Sequence, residues 1–327
     1  MKKWLSVILV LTVLLSMTAC AGNSSNEQTD APVAEVLEEA IEQTGKLLYE
    51  STKEPTLGSV GGEWMILGLA RSDLEIPEEY YETYFQNASA YTAQQGGVLH
   101  AKKYTEYSRV ILAMTAIGKD PTDVGGYNML IPLADFEQTV FQGINGPAFA
   151  LLALDCAGYE IPENAADTTQ ATRDMYVDYI ISAQLPDGGW SMMGGEPEID
   201  LTAMALQALA KYQDRKDVAQ AIDKALVVLS EKQNENGGYT AYNTENSEAI
   251  SQTIVALSEL GISLEDSRFV KNGNTLVDGL MRFSDGKGGF SHLLDDDMDL
   301  IATEQAFYAL VAANRILKGE TPLYTMK

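Results

Sequence analysis

Residues Gln184–Trp190 read QLPDGGW. A polar turn cluster, paired glycines and one aromatic residue stand between two helix-like segments. A single such loop would invite a catalytic reading, but this one recurs. Gln233–Tyr239 reads QNENGGY, and Phe283–Phe290 reads FSDGKGGF without the glutamine. Each follows an amphipathic segment (Thr169–Ala183, Val218–Lys232, Arg268–Arg282) and precedes an Ala-rich one (Asp200–Tyr212, Ser247–Leu260, Leu300–Leu317). The glycines permit a tight reversal, so the stretch reads as a joint between two helices, with Trp190 expected to pack on the neighbouring hairpin.

The Ala-rich segments align at their centres: Leu206-Gln-Ala208-Leu209, Ile254-Val-Ala256-Leu257 and Phe307-Tyr-Ala309-Leu310. The same frame runs upstream as Ile66-Leu-Gly68-Leu69, Ile111-Leu-Ala113-Met114 and Leu151-Leu-Ala153-Leu154. The units are spaced by roughly 40–55 residues, the range of helical-pair repeats. The third position is always Ala or Gly, which lets neighbouring helices approach while large flanking residues fill the gaps.

Between these segments lie others with charge on one face: Val33–Ser51, Pro77–Gln95, Val124–Ala134, Thr169–Ala183, Val218–Lys232 and Arg268–Arg282. They read as surface helices. No alternating apolar/polar run bounded by hairpin turns argues for strands. An open solenoid would need polar end caps, whereas a closed ring needs none. The expected fold class is therefore all-α: a single (α/α)6 toroid of six helical hairpins over residues 33–327, with inner helices lining a central cavity.

Gln-x-x-x-Gly-x-aromatic resembles the QW repeat of squalene cyclases, and the glycine-rich aromatic turn with six hairpins is similar to protein prenyltransferase β subunits. Cobalamin carriers such as transcobalamin resemble the same ring. The resemblance covers residues 33–317, most clearly 169–317, and implies the toroid of the terpenoid cyclase/prenyltransferase superfamily. The chemistry carries over less well. The Asp-x-Asp-Asp order that squalene cyclases share is not present; the nearest run is Leu294-Asp295-Asp296-Asp297-Met298-Asp299. The zinc site of the prenyltransferases needs Asp, Cys and His, and this chain has only His100, His292 and an early Cys156 for it.

The N-terminal segment reads as an address. Lys2 and Lys3 precede an apolar run, Trp4–Leu15, and MTAC then ends at Cys20, the order of a secretory signal. The ending resembles a bacterial lipobox, which implies cleavage before Cys20 and its diacylation. Residues 1–20 are thus expected to be a lipoprotein signal peptide and 21–32 a polar, flexible tether. The expected location is extracytoplasmic, on the cell membrane through a lipid anchor. With 22 Lys plus Arg against 47 Asp plus Glu, the chain is strongly acidic, and nucleic acid is excluded as a partner because phosphate binding needs a basic footprint. Cys156, in an apolar run, reads as a buried small hydrophobe.

The loops lead to the N-terminal ends of the inner helices, which should share one acidic rim: Glu196, Glu198, Asp200, Glu245, Glu248, Asp295, Asp296, Asp297 and Asp299. Asp200, Ser247 and Asp299 also sit where an N-cap belongs. Glu63 and Glu304 occupy equivalent positions, each three residues before its frame, where the other units carry Ser108, Ala148, Ala203 and Ser251. They become neighbours only if the ring closes, and could then share a proton, hold a cation or bind a cationic group. Trp64, Tyr107, Phe149, Tyr242 and Phe307 are candidate aromatic walls. The ligand-binding set is thus Glu63, Tyr107, Asp200, Glu248, Asp299 and Glu304. Glu63, Asp296 and Glu304 are the acids to test for catalysis. Asp295, Asp297 and Asp299 begin like a calcium loop, but Leu300 stands where that loop needs glycine. A divalent cation is the one cofactor this rim suggests.

The expected function is a ring that binds a small molecule (isoprenoid or corrinoid) or a surface polymer. The alternatives are a divergent enzyme of the same superfamily and a structural or adhesive surface module.

Overall fold

The computed structural model describes residues 33–241 and 244–326. The expected signal peptide (1–20) with Cys20, the expected tether (21–32) and Tyr242 lie outside the described residues.

Helices dominate. The outer set contains α1 (Val33–Ser51), α3 (Glu78–Gln94), α5 (Phe136–Thr139), α7 (Arg173–Ser182), α9 (Lys216–Lys232) and α11 (Leu276–Met281). The inner set contains α2 (Glu63–Arg71), α4 (Thr105–Ala116), α6 (Asn145–Asp155), α8 (Ile199–Leu209), α10 (Ser247–Glu259) and α12 (Leu300–Leu317). Among the described residues the only ladder is a two-residue antiparallel pair, β1 (Thr240–Ala241) and β2 (Thr244–Glu245). The two helix sets bury differently. α1 buries Leu37, Ala40, Ile41, Thr44, Gly45 and Leu48 along one stripe, whereas α10 and α12 are buried nearly all round, as an outer and an inner layer require.

The inner helices pack in the order α2–α4–α6–α8–α10–α12, and α12 packs back on α2. The ring is closed. Each of α7, α9 and α11 packs on the inner helix of the preceding hairpin, and α1 packs on α12 as though α12 preceded it.

The glycine-rich joints carry this stagger. Gly188, Gly237 and Gly288 have φ of 105°, 83° and 98°, a region open mainly to glycine. A Cβ on Gly188 would lie 2.8 Å from Lys224 of α9, on Gly237 2.1 Å from the Thr275 carbonyl before α11, and on Gly288 2.5 Å from the Gln43 carbonyl of α1. Each joint thus presses its backbone on the next outer element, and the third closes the circle onto α1. Gln184 Nε2 donates to the Gly188 and Ala221 carbonyls at 2.7 and 2.8 Å, and Gln233 repeats this with Gly237 and Phe269. The glutamine is therefore a group that reaches the neighbouring hairpin by hydrogen bonds. Trp190 is buried in the core, and its indole donates to Ile180 O of its own hairpin at 2.7 Å.

One expected outer helix is displaced and a second is shorter than its sequence stretch. Residues 124–134 hold no α-helix: Gly125 and Gly126 take φ of 63° and 87° and fold a tight turn, and Pro132 enters a 3-10 turn, Ile131–Ala134. The α-helix is the short α5 that follows, capped by Asp135. In 268–282, Asn272 and Gly273 break the run at φ of 51° and 86°, and the helix starts at the Thr275/Asp278 capping box.

At the seam, complementarity is specific to the last and first units. Phe307 fills the frame position that is Ile or Leu in the other units, and it meets Gly68, the one glycine at a position otherwise Ala. A Cβ on Gly68 would lie 2.7 Å from the Phe307 ring, and one on Gly45 of α1 would lie 3.1 Å from it. Overpacking here should destabilise Gly68→Ala by about 1–3 kcal/mol. Urea unfolding of the double variant Gly68→Ala/Phe307→Leu should recover part of that loss; strict additivity would mean the two residues do not form the seam together.

Candidate functional site

The ring encloses an axial cavity of about 190 Å³. Its wall takes one residue from each inner helix: Trp64, Arg109, Phe149, Met204, Gln252 and Gln305. All six fall at one position of the repeat, the residue directly after the Glu63/Glu304 position. Thr105, Tyr308 and Tyr324 complete the lining. The wall has two halves. Trp64 packs between Phe149 and Tyr308, with ring centroids 5.6 Å away in each case. Opposite in character are Arg109 and the two amides. Gln252 Nε2 donates to Gln305 Oε1 at 2.8 Å and to the Tyr308 hydroxyl, and Gln207 Nε2 donates to Gln252 Oε1 at 2.9 Å.

The wall lies in the N-terminal halves of the inner helices, and the other end of the ring is shut. After α12 the chain turns at Gly319 (φ 70°) and crosses the base. Arg71 donates to the carbonyls of Leu323, Pro322 and Thr325 at 3.0–3.1 Å. Glu259 accepts the Tyr324 N–H at 3.0 Å, and Met326 N–H reaches Cys156 O at 2.8 Å. Tyr324, buried, is the floor. Cys156 is buried as expected.

Glu63 and Glu304 meet across the seam, but behind the wall. Both are 1% exposed. They hold one loop from two sides: Glu63 Oε1 accepts the Gly58 N–H at 3.0 Å, and Glu304 Oε1 accepts the Gly61 N–H at 2.6 Å. Glu63 Oε2 also takes Arg109 Nε at 3.2 Å, and the Arg109 guanidinium donates on its other side to Glu106. Glu304 Oε2 is buried without a partner. Burial pushes the Glu63 carboxyl up to about 7, overriding the Arg109 charge that pulls it down. Burial, with Glu63 and Asp299 as like charges, pushes Glu304 up to about 8.

The other expected residues fall elsewhere. Tyr107 is buried away from the axis, its hydroxyl accepting the Leu99 N–H at 3.1 Å. Phe307 is the seam wedge, not a wall. Asp200 and Glu248 stand one turn above Met204 and Gln252 on the same helix faces, so they flank the mouth, where the Glu248 carboxylate accepts from His292 Nδ1 at 2.8 Å. Of the three expected N-caps only Asp299 caps, accepting Ala302 N–H at 2.8 Å; α8 starts at Glu198 without a side-chain cap, and Asn246 rather than Ser247 caps α10. Glu196 is exposed, Glu198 accepts from the 191–192 turn, and Glu245 is held by Asn234, Asn236 and Arg282. Asp295, Asp296 and Asp297 are exposed, and no group of three His, Cys, Asp or Glu among the described residues could hold a metal ion. The calcium-like run does not converge, since its last acid is spent on the α12 cap. Arg109, Gln252, Gln305, Tyr308 and Tyr324 were not picked from sequence. The lone arginine inside TEYSRVILAMTA was the available signal.

The raised carboxyls make stability depend on pH with a definite sign. A carboxyl whose folded value lies above the unfolded 4.5 stabilises the fold fully below 4.5 and loses that contribution as pH rises through its folded value. Differential scanning calorimetry should therefore give a lower Tm at about pH 9 than at about pH 6, with Glu304→Gln removing much of the difference; a Tm that rises over this window would contradict the assignment.

No family model matches the sequence. Among curated proteins, drimenyl diphosphate synthase of Streptomyces showdoensis is 26% identical over 145 residues, which are 43% of this chain and 27% of that protein. The chain thus spans about a quarter of that relative's length. Among solved structures, the type II terpene cyclase MstE from Scytonema, in complex with geranylgeranyl dihydroxybenzoate, superposes with a TM-score of 0.57 at 11% identity, covering 87% of this chain and 99% of the cyclase. Unsaturated glucuronyl hydrolase from Bacillus sp. GL1 gives 0.56 at 13% identity, covering 90% of this chain and 100% of the hydrolase. At such identities the likeness is one of fold, and that fold is an α/α toroid.

Proposed function

We propose that this is an extracytoplasmic lipoprotein, anchored through Cys20, whose toroid binds a ligand in its axial cavity and does not transform it. One observation carries the reading. The cavity wall is built from equivalent positions of all six inner helices, and none of the lining side chains is a carboxylate, histidine or cysteine. Proton-transfer and nucleophilic chemistry draw mostly on such groups, and the two phenols that do line the cavity, Tyr308 and Tyr324, are pushed up by burial and hold their protons. The wall instead offers aromatic faces, amides and a guanidinium, the mixture of apolar surface and few polar groups that small-molecule sites use. At about 190 Å³ the enclosed space is below the ~300–1,000 Å³ of typical sites. It suits one end of a ligand, and it disfavours enclosure of a whole corrinoid or a long isoprenoid.

A second reading has its own support. Glu304 is a carboxyl with an unpartnered oxygen, beside Glu63, that burial keeps protonated; a cyclase needs a proton donor, and the same burial makes Glu304 a weak one. Native mass spectrometry of protein purified from its host should show a co-purifying small molecule, lost when Trp64 is replaced by Ala. Turnover of an isoprenoid substrate that disappears in Glu304→Gln would overturn the binding reading. Labelled palmitate should be incorporated into the wild type and not into Cys20→Ser; equal labelling would remove the anchor.

A further inference from the structure

We propose that the axial cavity is a blind site for the terminal pyranose unit of a neutral saccharide. The inference rests on the binding reading above and names its ligand class.

The shape comes first. The cavity is closed at its base by Tyr324, which is pinned by its own N–H to Glu259 and by Arg71 on the flanking carbonyls. A chain cannot thread it, so only an end can enter. A long isoprenoid would leave most of its apolar surface outside, in water, at a cost proportional to that area.

The wall chemistry comes second. A pyranose ring has an apolar C–H face and an equatorial belt of hydroxyls, each a donor and an acceptor. Trp64, flanked by Phe149 and Tyr308 at 5.6 Å, offers the flat apolar face. On the two helices that flank α2, Gln305 and Arg109 offer the polar belt at the edge of that face. Gln305 uses its Oε1 on Gln252, and among the described residues its Nε2 has no protein acceptor; neither does Arg109 Nη1, since Glu63 takes Nε and Glu106 takes Nη2. Donors beside an aromatic plane suit the equatorial hydroxyls of a ring stacked on it and leave an aliphatic tail with unpaired polar groups.

Charge comes third. Arg109 is already held by two glutamates, so it presents N–H groups without a net positive field. Asp200 and Glu248 flank the mouth, and the whole chain carries −25. An anionic sugar would be repelled on entry, which selects neutral units over uronates.

The test uses the folded toroid and the fluorescence of Trp64, with calorimetric titration beside it. The probes are methyl glucoside, galactoside, mannoside and N-acetylglucosaminide, with glucuronic acid and farnesol as competitors of other classes. At least one neutral pyranoside should bind, with glucuronic acid at least ~10-fold weaker. Gln305→Leu keeps the volume and removes the donors, and it should weaken pyranoside binding by ~10-fold or more. Trp64→Ala should abolish it; Trp64→Phe, which keeps a flat face, should retain part, which separates a lost contact from a lost fold. Farnesol binding with no pyranoside response would overturn the saccharide assignment and leave the binding reading standing. Silence from every probe, together with no small molecule on host-purified protein, would end both. Pyranoside binding unchanged in Gln305→Leu and Trp64→Ala would place the sugar elsewhere and overturn the site.

Discussion

The last inner helix has to meet the first, and the fit of Phe307 into the gap left by Gly68 and Gly45 sets how closely it does. Protein interiors are packed to crystal density, so a ring of helices closes only if its final interface is filled and not overfilled. In the other units the equivalent positions carry Ile or Leu and Ala. Here one side is enlarged to an aromatic ring, and the other loses its Cβ. The wedge also meets Gly45 of α1, and α1 sits on α12 as α7, α9 and α11 sit on the inner helices before them.

The seam is tied along its length. At the top, Glu304 of α12 holds the Gly61 N–H ahead of α2. At the base, Arg315 of α12 donates to the Arg71 carbonyl at 3.0 Å, and Arg71 in turn gathers the strap that follows α12. Lys318 pairs with Asp73 at the surface, a contact worth little by itself. The buried ties matter more because water cannot replace them. A ring has no free ends to fray, and these contacts are what make the two ends of the helical series equivalent to its middle.

Much of this was legible in the sequence, and for a physical reason. Burial repeats with the helix period, so six Ala-rich centres announced six buried helices, and the paired glycines announced joints that must touch a neighbour. Backbone punctuation was less legible. Gly125, Gly126, Asn272 and Gly273 each take positive φ, and a charged, apolar-spotted stretch hides such residues inside a helical pattern. The reach of Gln184 to the Ala221 carbonyl was not legible in QLPDGGW, because composition cannot say which backbone group a side-chain amide will find. The cavity was half legible: Trp64 and Phe149 read as aromatic walls and line it. Its polar members were not, because Glu304 stood out as an acid whereas its neighbour Gln305 looked like an ordinary member of an amphipathic helix. Glu106 and Glu63 could not be linked to Arg109 from sequence, since 46 positions separate the latter pair.

That one-residue offset determines what the ring can do. Successive side chains on a helix diverge by about 100°, so the position carrying Glu63 and Glu304 and the position after it cannot face the same way. One projects into the interface between inner helices, where a carboxyl is buried and bonded to backbone. The next projects onto the axis, where the six residues are Trp, Arg, Phe, Met, Gln and Gln. The seam acids are thereby kept from the axial cavity by helix geometry itself, and their raised affinity for protons acts on the loop they hold. A toroid that placed its acid one residue later would present that proton to the axis. This chain presents aromatic faces, amides and a guanidinium there instead.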